Sequence, residues 1–218
     1  MPDAHFLVAV RTRLRVPTHS DTRRRLCQHT NKETKRACEV ELDKRGLHAR
    51  TCKTGGAVVR RHDRIRDWLA AWVEEVTNRT ALTEQFVPKW DRQDKKGQMI
   101  RAKLDVCFDD AQGRRVYVDV AVTDAATTCA QALRARAKRD GAAASEEEDE
   151  KRGRYPGPDL TPFVVEALGR LGDSADAFLR SLAPRDPEER SRVLRAARQT
   201  LSVLVQIGNA ELLLSAMD

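Results

Sequence analysis

Three cysteines and a histidine share a stretch that has little else to fold around. Cys27, Cys38, His48 and Cys52 are spaced Cys-x10-Cys-x9-His-x3-Cys. A structural zinc site takes four soft or borderline donors in a tetrahedron, and a closing His-x3-Cys presents two of them from one turn of chain. Gly46 before that pair and Gly55-Gly56 after it supply turns. The plain alternative is three unrelated reduced thiols in a loop, although buried free cysteines want apolar neighbours and residues 23–53 hold few. His29 could stand in for one ligand through Cys27-x-His29. Cys107 and Cys129 fall within strand and helix patterns and read as core or edge thiols.

A pair of carboxylates forms the second constellation. Residues Met99–Phe108 alternate, with Ile100, Ala102, Leu104, Val106 and Phe108 on one side, and Val116–Val122 places valine at 116, 118, 120 and 122. A short turn containing Gly113 joins them, so they predict a hairpin. For the two apolar sides to share a face, opposed residue numbers must sum to an even value, and a loop of Ala111-Gln112-Gly113 makes that value 224. Asp105 then faces Asp119. Like charges opposite one another in a ladder are destabilising unless a positive group lies between them, and a divalent cation is the natural occupant. The competing reading is a solvated hairpin face carrying Lys103, Tyr117, Ala121, Thr123 and incidental acids. Asp109-Asp110 sits at the turn with no partner motif around it.

Other elements must position these groups. Residues 4–16 read as a short helix ended by Pro17, within an N-terminal tail of residues 1–22; residues 23–56 form the zinc-binding segment. After Gly56, Ile65, Trp68, Leu69, Trp72, Val73 and Val76 mark one face of an amphipathic helix. Strand-like runs follow at Leu82–Trp90, Met99–Phe108 and Val116–Val122. Thr127–Arg139 is helical in composition, and the small and acidic run Gly141–Glu150 reads as a solvated extension or loop. A strand at Pro162–Ala167, a helix at Ser174–Ser181 and a long helix opened by Asp186-Pro187-Glu188-Glu189 complete the order, with Gly208 expected to end the last helix near Ile207. This is a mixed α/β (α+β) pattern: helix, three strands, helix, strand, then helices. The core spans residues 57–168 and the C-terminal helical part 169–218.

Charge divides the chain unevenly. Over 218 residues the net charge is +7, yet residues 1–66 carry 17 basic and 7 acidic side chains. A basic lobe of that size points to a polyanion, most commonly nucleic acid. No stretch approaches the length of an apolar membrane span, so no membrane partner is expected. The beginning lacks a secretory pattern, which predicts a reducing compartment and free thiols.

Taken in order and spacing, these motifs resemble the C-terminal restriction-like endonuclease region of non-LTR retrotransposon polyproteins, over roughly residues 23–166. That family places a Cys/Cys/His/Cys motif before a basic-His-Asn/Asp box, then Lys-Pro-Asp and a second acid about a dozen residues on. Here the counterparts are Cys27/Cys38/His48/Cys52, Arg61-His62-Asp63, and Lys103-Leu104-Asp105 with thirteen residues before Asp119. The chain also resembles the wider PD-(D/E)xK nucleases, whose restriction-endonuclease-like core is helix, three strands, helix, strand. Leu104 replaces the family's proline, and Ala121 stands where the superfamily lysine would follow the second acid.

The resemblance implies a DNA endonuclease that nicks target DNA for integration by target-primed reverse transcription. The chain would be a fragment or descendant of a larger polyprotein, without a polymerase palm, and nuclear. It implies that Asp105, Asp119 and the Val120 carbonyl hold Mg²⁺ or Mn²⁺. Lys151, with Tyr155 four residues later, supplies the displaced lysine, Lys138 being the alternative. Glu84 is a further ligand or water holder, or a solvated residue. Arg60, Arg61 and His62 contact phosphates of DNA, or of RNA, although His62 could equally pack against Ile65 and Leu69. The rival class is a zinc-stabilised nucleic-acid-binding protein whose nuclease site has decayed.

Overall fold

The structure, a computed structural model, describes residues 2–18, 25–127 and 129–217. The boundary expected between residues 22 and 23 lies outside the described residues. Helix α1 is Asp3–Arg13, and a Cys/His module follows with the short helix α2 (Leu47–Thr51). Helix α3 (Ala57–Thr77) leads into β1 (Leu82–Phe86), the two-residue strands β2 (Arg92–Gln93) and β3 (Met99–Ile100), β4 (Lys103–Asp109) and β5 (Arg115–Thr123). Then come α4 (Ala130–Arg136), α5 (Ala142–Arg154), β6 (Leu160–Glu166), α6 (Asp173–Leu182) and α7 (Pro187–Ser215).

The main sheet runs β1-β4-β5-β6. Strand β4 is antiparallel to both β1 and β5, and β6 joins β5 in parallel. The fold is therefore mixed α/β with a mixed sheet. The β4–β5 hairpin pairs Val106 with Val118 and Phe108 with Val116, which is the register that parity and loop length predict.

Val106, Phe108, Val118, Val120 and Phe163 lie on one face of that sheet. Ile65, Leu69 and Val73 of α3, Phe178 and Leu179 of α6, and Leu201 and Val205 of α7 pack against them. The opposite face carries Leu104, Cys107, Tyr117 and Asp119, and α5 crosses it against β5 and β6. Beside α5, Trp90 and Tyr155 close an apolar cluster with Cys107 and Leu160. Residues 169–218 are built into the same body rather than appended to it, because α6 packs on β6 and α7 packs on α3, α1 and α2.

Three expectations are corrected. The acidic run Gly141–Glu150 is not a loop but most of α5. Ala143 and Ala144 are buried and let the helix approach β6 closely, while Glu148 accepts hydrogen bonds from the Ser174 N–H and hydroxyl at the start of α6, at 3.0 and 2.9 Å. There the carboxylate also meets the positive end of the helix dipole.

Gly208 does not end the last helix. It lies inside α7 at the crossing with α3, where a Cβ would stand 2.4 Å from the Cγ of Arg61. Its lack of a side chain is a packing requirement, so it is no stop signal. The run Met99–Phe108 is two strands, β3 and β4, parted at Arg101-Ala102. Asp91 accepts from the Ala102 N–H at 2.7 Å and Ala102 accepts from the Val87 N–H at 2.9 Å.

Candidate active site and metal centre

The long Cys27–Cys38 spacing closes through an antiparallel turn. The Cys27 N–H donates to Val40 (2.9 Å), the Glu39 N–H to Cys27 (3.0 Å) and the Cys38 N–H to His29 (2.8 Å). Helix α2 then brings up His48, with Cys52 just beyond its end. One ligand atom from each of Cys27, Cys38, His48 and Cys52 lies within 4.8 Å of the others.

Zn–S bonds of about 2.3 Å in a tetrahedron set sulfurs about 3.8 Å apart; Cys27 and Cys52 are 3.9 Å apart, and Cys38 Sγ is 3.4 Å from His48 Nε2. Burial, reinforced by the neighbouring Cys52 and Cys38 thiols, pushes the Cys27 thiol up to about 12. A cation is what such a crowded thiol set needs in order to ionise. The set can hold a metal ion and its donors suit zinc.

His29, the alternative ligand, is committed elsewhere. Its Nε2 lies 3.0 Å from the Leu212 carbonyl and from the Ser215 hydroxyl, and so docks the module on the end of α7. A buried ion pair, Arg50–Asp124 at 2.9 Å, ties α2 to the residue following β5. No feature of the sequence pattern announces that pair.

The carboxylate pair comes together across β4 and β5. The backbone ladder stops at Val106–Val118, and at the next step Asp105 Oδ2 accepts the Val120 N–H at 2.7 Å. His62, from the exposed edge of α3, sets Nε2 3.1 Å from the same oxygen and Nδ1 3.2 Å from Asp63. Helix α5 delivers Lys151, only 4% exposed, whose Nζ donates to Asp119 Oδ2 at 2.7 Å and to the Val120 carbonyl at 3.2 Å. Lys138, the alternative, is exposed beyond the end of α4.

The two acids differ in how readily they ionise. Burial is the main effect on Asp119 and outweighs Lys151; with the nearby Asp105 charge it raises the carboxyl from 3.8 to about 6. Burial also opposes ionisation of Asp105, but His62 and the Val120 N–H overcome it and hold Asp105 below its ordinary value. His62 is itself held above its ordinary value, burial notwithstanding, by Asp105 and Asp63. Each carboxylate thus has its own basic neighbour, His62 on Asp105 and Lys151 on Asp119.

The remaining expected site residues scatter. Glu84 lies across the β1–β4 ladder at the level of Asp105, between the Thr83–Val106 and Gln85–Leu104 pairs, with a left-handed φ of 56°. Such a backbone is uncommon away from glycine and interrupts the ladder. Its carboxylate bonds Arg66 at 2.9 Å and Lys103 at 3.0 Å rather than turning to Asp105.

Tyr155 does not join the carboxylates. It is buried beside Trp90, ring centroids 5.5 Å apart. Arg61 is corrected from a phosphate contact to an internal strut: it is 4% exposed and donates to Asn209 at 2.6 Å. Arg60 stays exposed on α3. The Asp63–Arg66–Glu84 chain was not anticipated, although Asp63 sits in the Arg-His-Asp box that could have signalled it.

Fold and clusters together define a mixed α/β protein with a Cys₃His cluster that could hold a metal ion and a largely buried Asp/Asp/Lys constellation. Compared with known proteins, the chain matches no family model and no curated sequence.

Proposed function

We propose that this chain is a divalent-metal-dependent DNA endonuclease module with a restriction-endonuclease-like core and a zinc-stabilised basic lobe, related to the enzymes that nick target DNA for retrotransposon integration. One observation carries the reading. A lysine from a helix remote in sequence is buried on the second of two facing acids and donates as well to the Val120 carbonyl. Burying a cation and two carboxylates together is costly unless the charges are used.

Asp105, Asp119 and the Val120 carbonyl would hold Mg²⁺ or Mn²⁺; the chemistry such an ion supplies is polarisation of a phosphate and a more acidic water. Lys151 stabilises negative charge that develops on the phosphate or orients the attacking water. His62 fixes the Asp105 carboxylate by holding one of its oxygens. Arg60 and the basic lobe hold the DNA backbone, and a chromosomal substrate makes the protein nuclear.

A second reading has its own support. His62 and Lys151 each pair with one carboxylate, so each acid has a partner without a metal ion, as suits a nucleic-acid-binding protein that no longer cuts. Nicking of supercoiled plasmid in Mg²⁺ or Mn²⁺, run beside Asp119→Ala, decides between them. The nuclease reading expects metal-dependent nicking that the variant loses while it still binds DNA, with affinity falling steeply as salt rises. A folded wild-type protein that binds DNA and never nicks it overturns the nuclease reading in favour of the second.

A further inference from the structure

The edge of the sheet beside Asp105 carries a surface that neither the carboxylate site nor the Cys/His module uses. Strand β1 is an outer strand, and its last residue, Phe86, pairs with Lys103 of β4. Side chains alternate along a strand, so Lys103 projects on the same side as Asp105, about 7 Å away. Phe86 is therefore one pleat from the carboxylate site. It is 50% exposed, and the Arg101 guanidinium lies over its ring at 3.9 Å from the centroid. Lys103 Nζ stands 6.0 Å from the same ring.

The β2–β3 hairpin extends this surface. Its turn is preformed: the Asp94 carboxylate accepts the Lys96 and Gln98 N–H groups at 2.8 Å each, and Gly97 takes the left-handed conformation. Lys95 and Lys96 are exposed at the tip, beside exposed Met99 and Ile100. The base is anchored by buried Trp90, whose indole N–H donates to the Pro156 carbonyl at 2.9 Å. A rigid stem thus presents cations and apolar groups to solvent. An exposed aromatic ring flanked by cations is the pattern on which unpaired bases stack while the backbone is held electrostatically.

We propose that Phe86, with Arg101 and Lys103, is a stacking platform for an unpaired base next to the scissile phosphate, and that Lys95 and Lys96 hold the adjoining backbone. The substrate class is single-stranded or locally unpaired nucleic acid rather than uninterrupted duplex. This rests on the nuclease reading only for the word scissile; the binding surface stands without it.

The test is fluorescence anisotropy of the full chain with a labelled single-stranded oligonucleotide and with the matching duplex, in the Asp119→Ala background so that cutting does not intervene. Phe86→Ala should weaken single-strand binding about five-fold or more and leave duplex binding nearly unchanged, while Phe86→Trp retains the affinity. Lys95→Gln with Lys96→Gln should lessen the salt dependence of single-strand binding by about one phosphate contact each. Single-strand affinity unchanged in Phe86→Ala, or lost equally for duplex, overturns the platform. Plasmid nicking by the wild type reports separately on the nuclease reading: nicking with an indifferent Phe86→Ala sinks the platform alone, and stacking without nicking sinks the nuclease alone.

Discussion

Replacing Lys151 with methionine probes the candidate site through its electrostatics. The ammonium is buried 2.7 Å from Asp119, so its loss strips a buried carboxylate of its nearest cation. If the charge stays, breaking a buried pair costs about 3–5 kcal/mol. Asp119 can instead take a proton. Burial and the Asp105 charge already place it at about 6, against an ordinary 3.8, with Lys151 opposing them; without the ammonium it goes higher. Ionising at about 6 rather than at 3.8, Asp119 already costs the wild type about 3 kcal/mol at pH 7, so taking up the proton outright adds only about 1.4 kcal/mol, at about 1.4 kcal/mol per pH unit. The proton is the cheaper route, so the loss attributable to the Asp119 charge is about 1.4 kcal/mol at pH 7.

The pH dependence is the sharper readout. A carboxyl whose folded value is raised binds more protons folded than unfolded, so stability rises as pH falls. In Lys151→Met that gain begins at or above pH 7, whereas in the wild type it begins only near pH 6. The stability gap should therefore shrink by up to about 1.4 kcal/mol between pH 7 and 6, then stay level down to about pH 4. Urea denaturation at pH 5, 6 and 7 measures it. A gap that is constant from pH 7 to 6, or that widens on acidification, would refute the assignment of Lys151 as the partner of a raised Asp119. Nicking should be abolished in the same variant.

Two further outcomes follow from the packing. Purified protein should carry about one zinc per chain, and chelation or Cys38→Ser should strip amide-exchange protection from residues 25–53 while β4, β5 and β6 stay protected; protection that survives complete metal removal contradicts a metal-held module. Gly208→Ala, which in an ordinary helix interior gains about 1 kcal/mol, should instead destabilise by about 1–2 kcal/mol, because the new Cβ meets buried Arg61 and overpacking costs about 1–3 kcal/mol; a urea midpoint higher than wild type would show that Arg61 moves aside freely.

The hairpin was legible because a strand has a period of two. Parity of Val106 and Phe108 against Val116 and Val118, with a turn of known length, leaves one register, and the Val106–Val118 pair has it. Leu104, expected on the same face, instead joins Cys107, Tyr155 and Leu160 in the second cluster, because the ladder breaks at Asp105. The Cys/His set was legible for a different reason: four donors of that type in a stretch with few apolar residues point to a shared metal ion. Neither argument reaches side chains whose partners are distant in sequence. Arg61 resembles a phosphate contact until α7 crosses it, and only the crossing supplies Asn209.

Helix α5 makes the same limit concrete. Glu146, Glu147, Glu148, Asp149 and Glu150 form a run that periodicity assigns to solvent, and for a helix standing alone that would be sound. Its contacts are polar and long-range instead: Glu146 with Arg136, Glu148 with the start of α6, and Lys151 with Asp119. Its apolar contribution comes from three small alanines, which no hydrophobic pattern weights heavily. An element held by charge pairing is invisible to a method that looks for burial of large side chains, and the residue it delivers to the site had to be sought by chemistry. That is why family resemblance pointed to Lys151 while composition pointed to a loop. The result which would undo this account is a Lys151→Met variant as stable and as active as the wild type, since α5 would then cross the sheet without serving it.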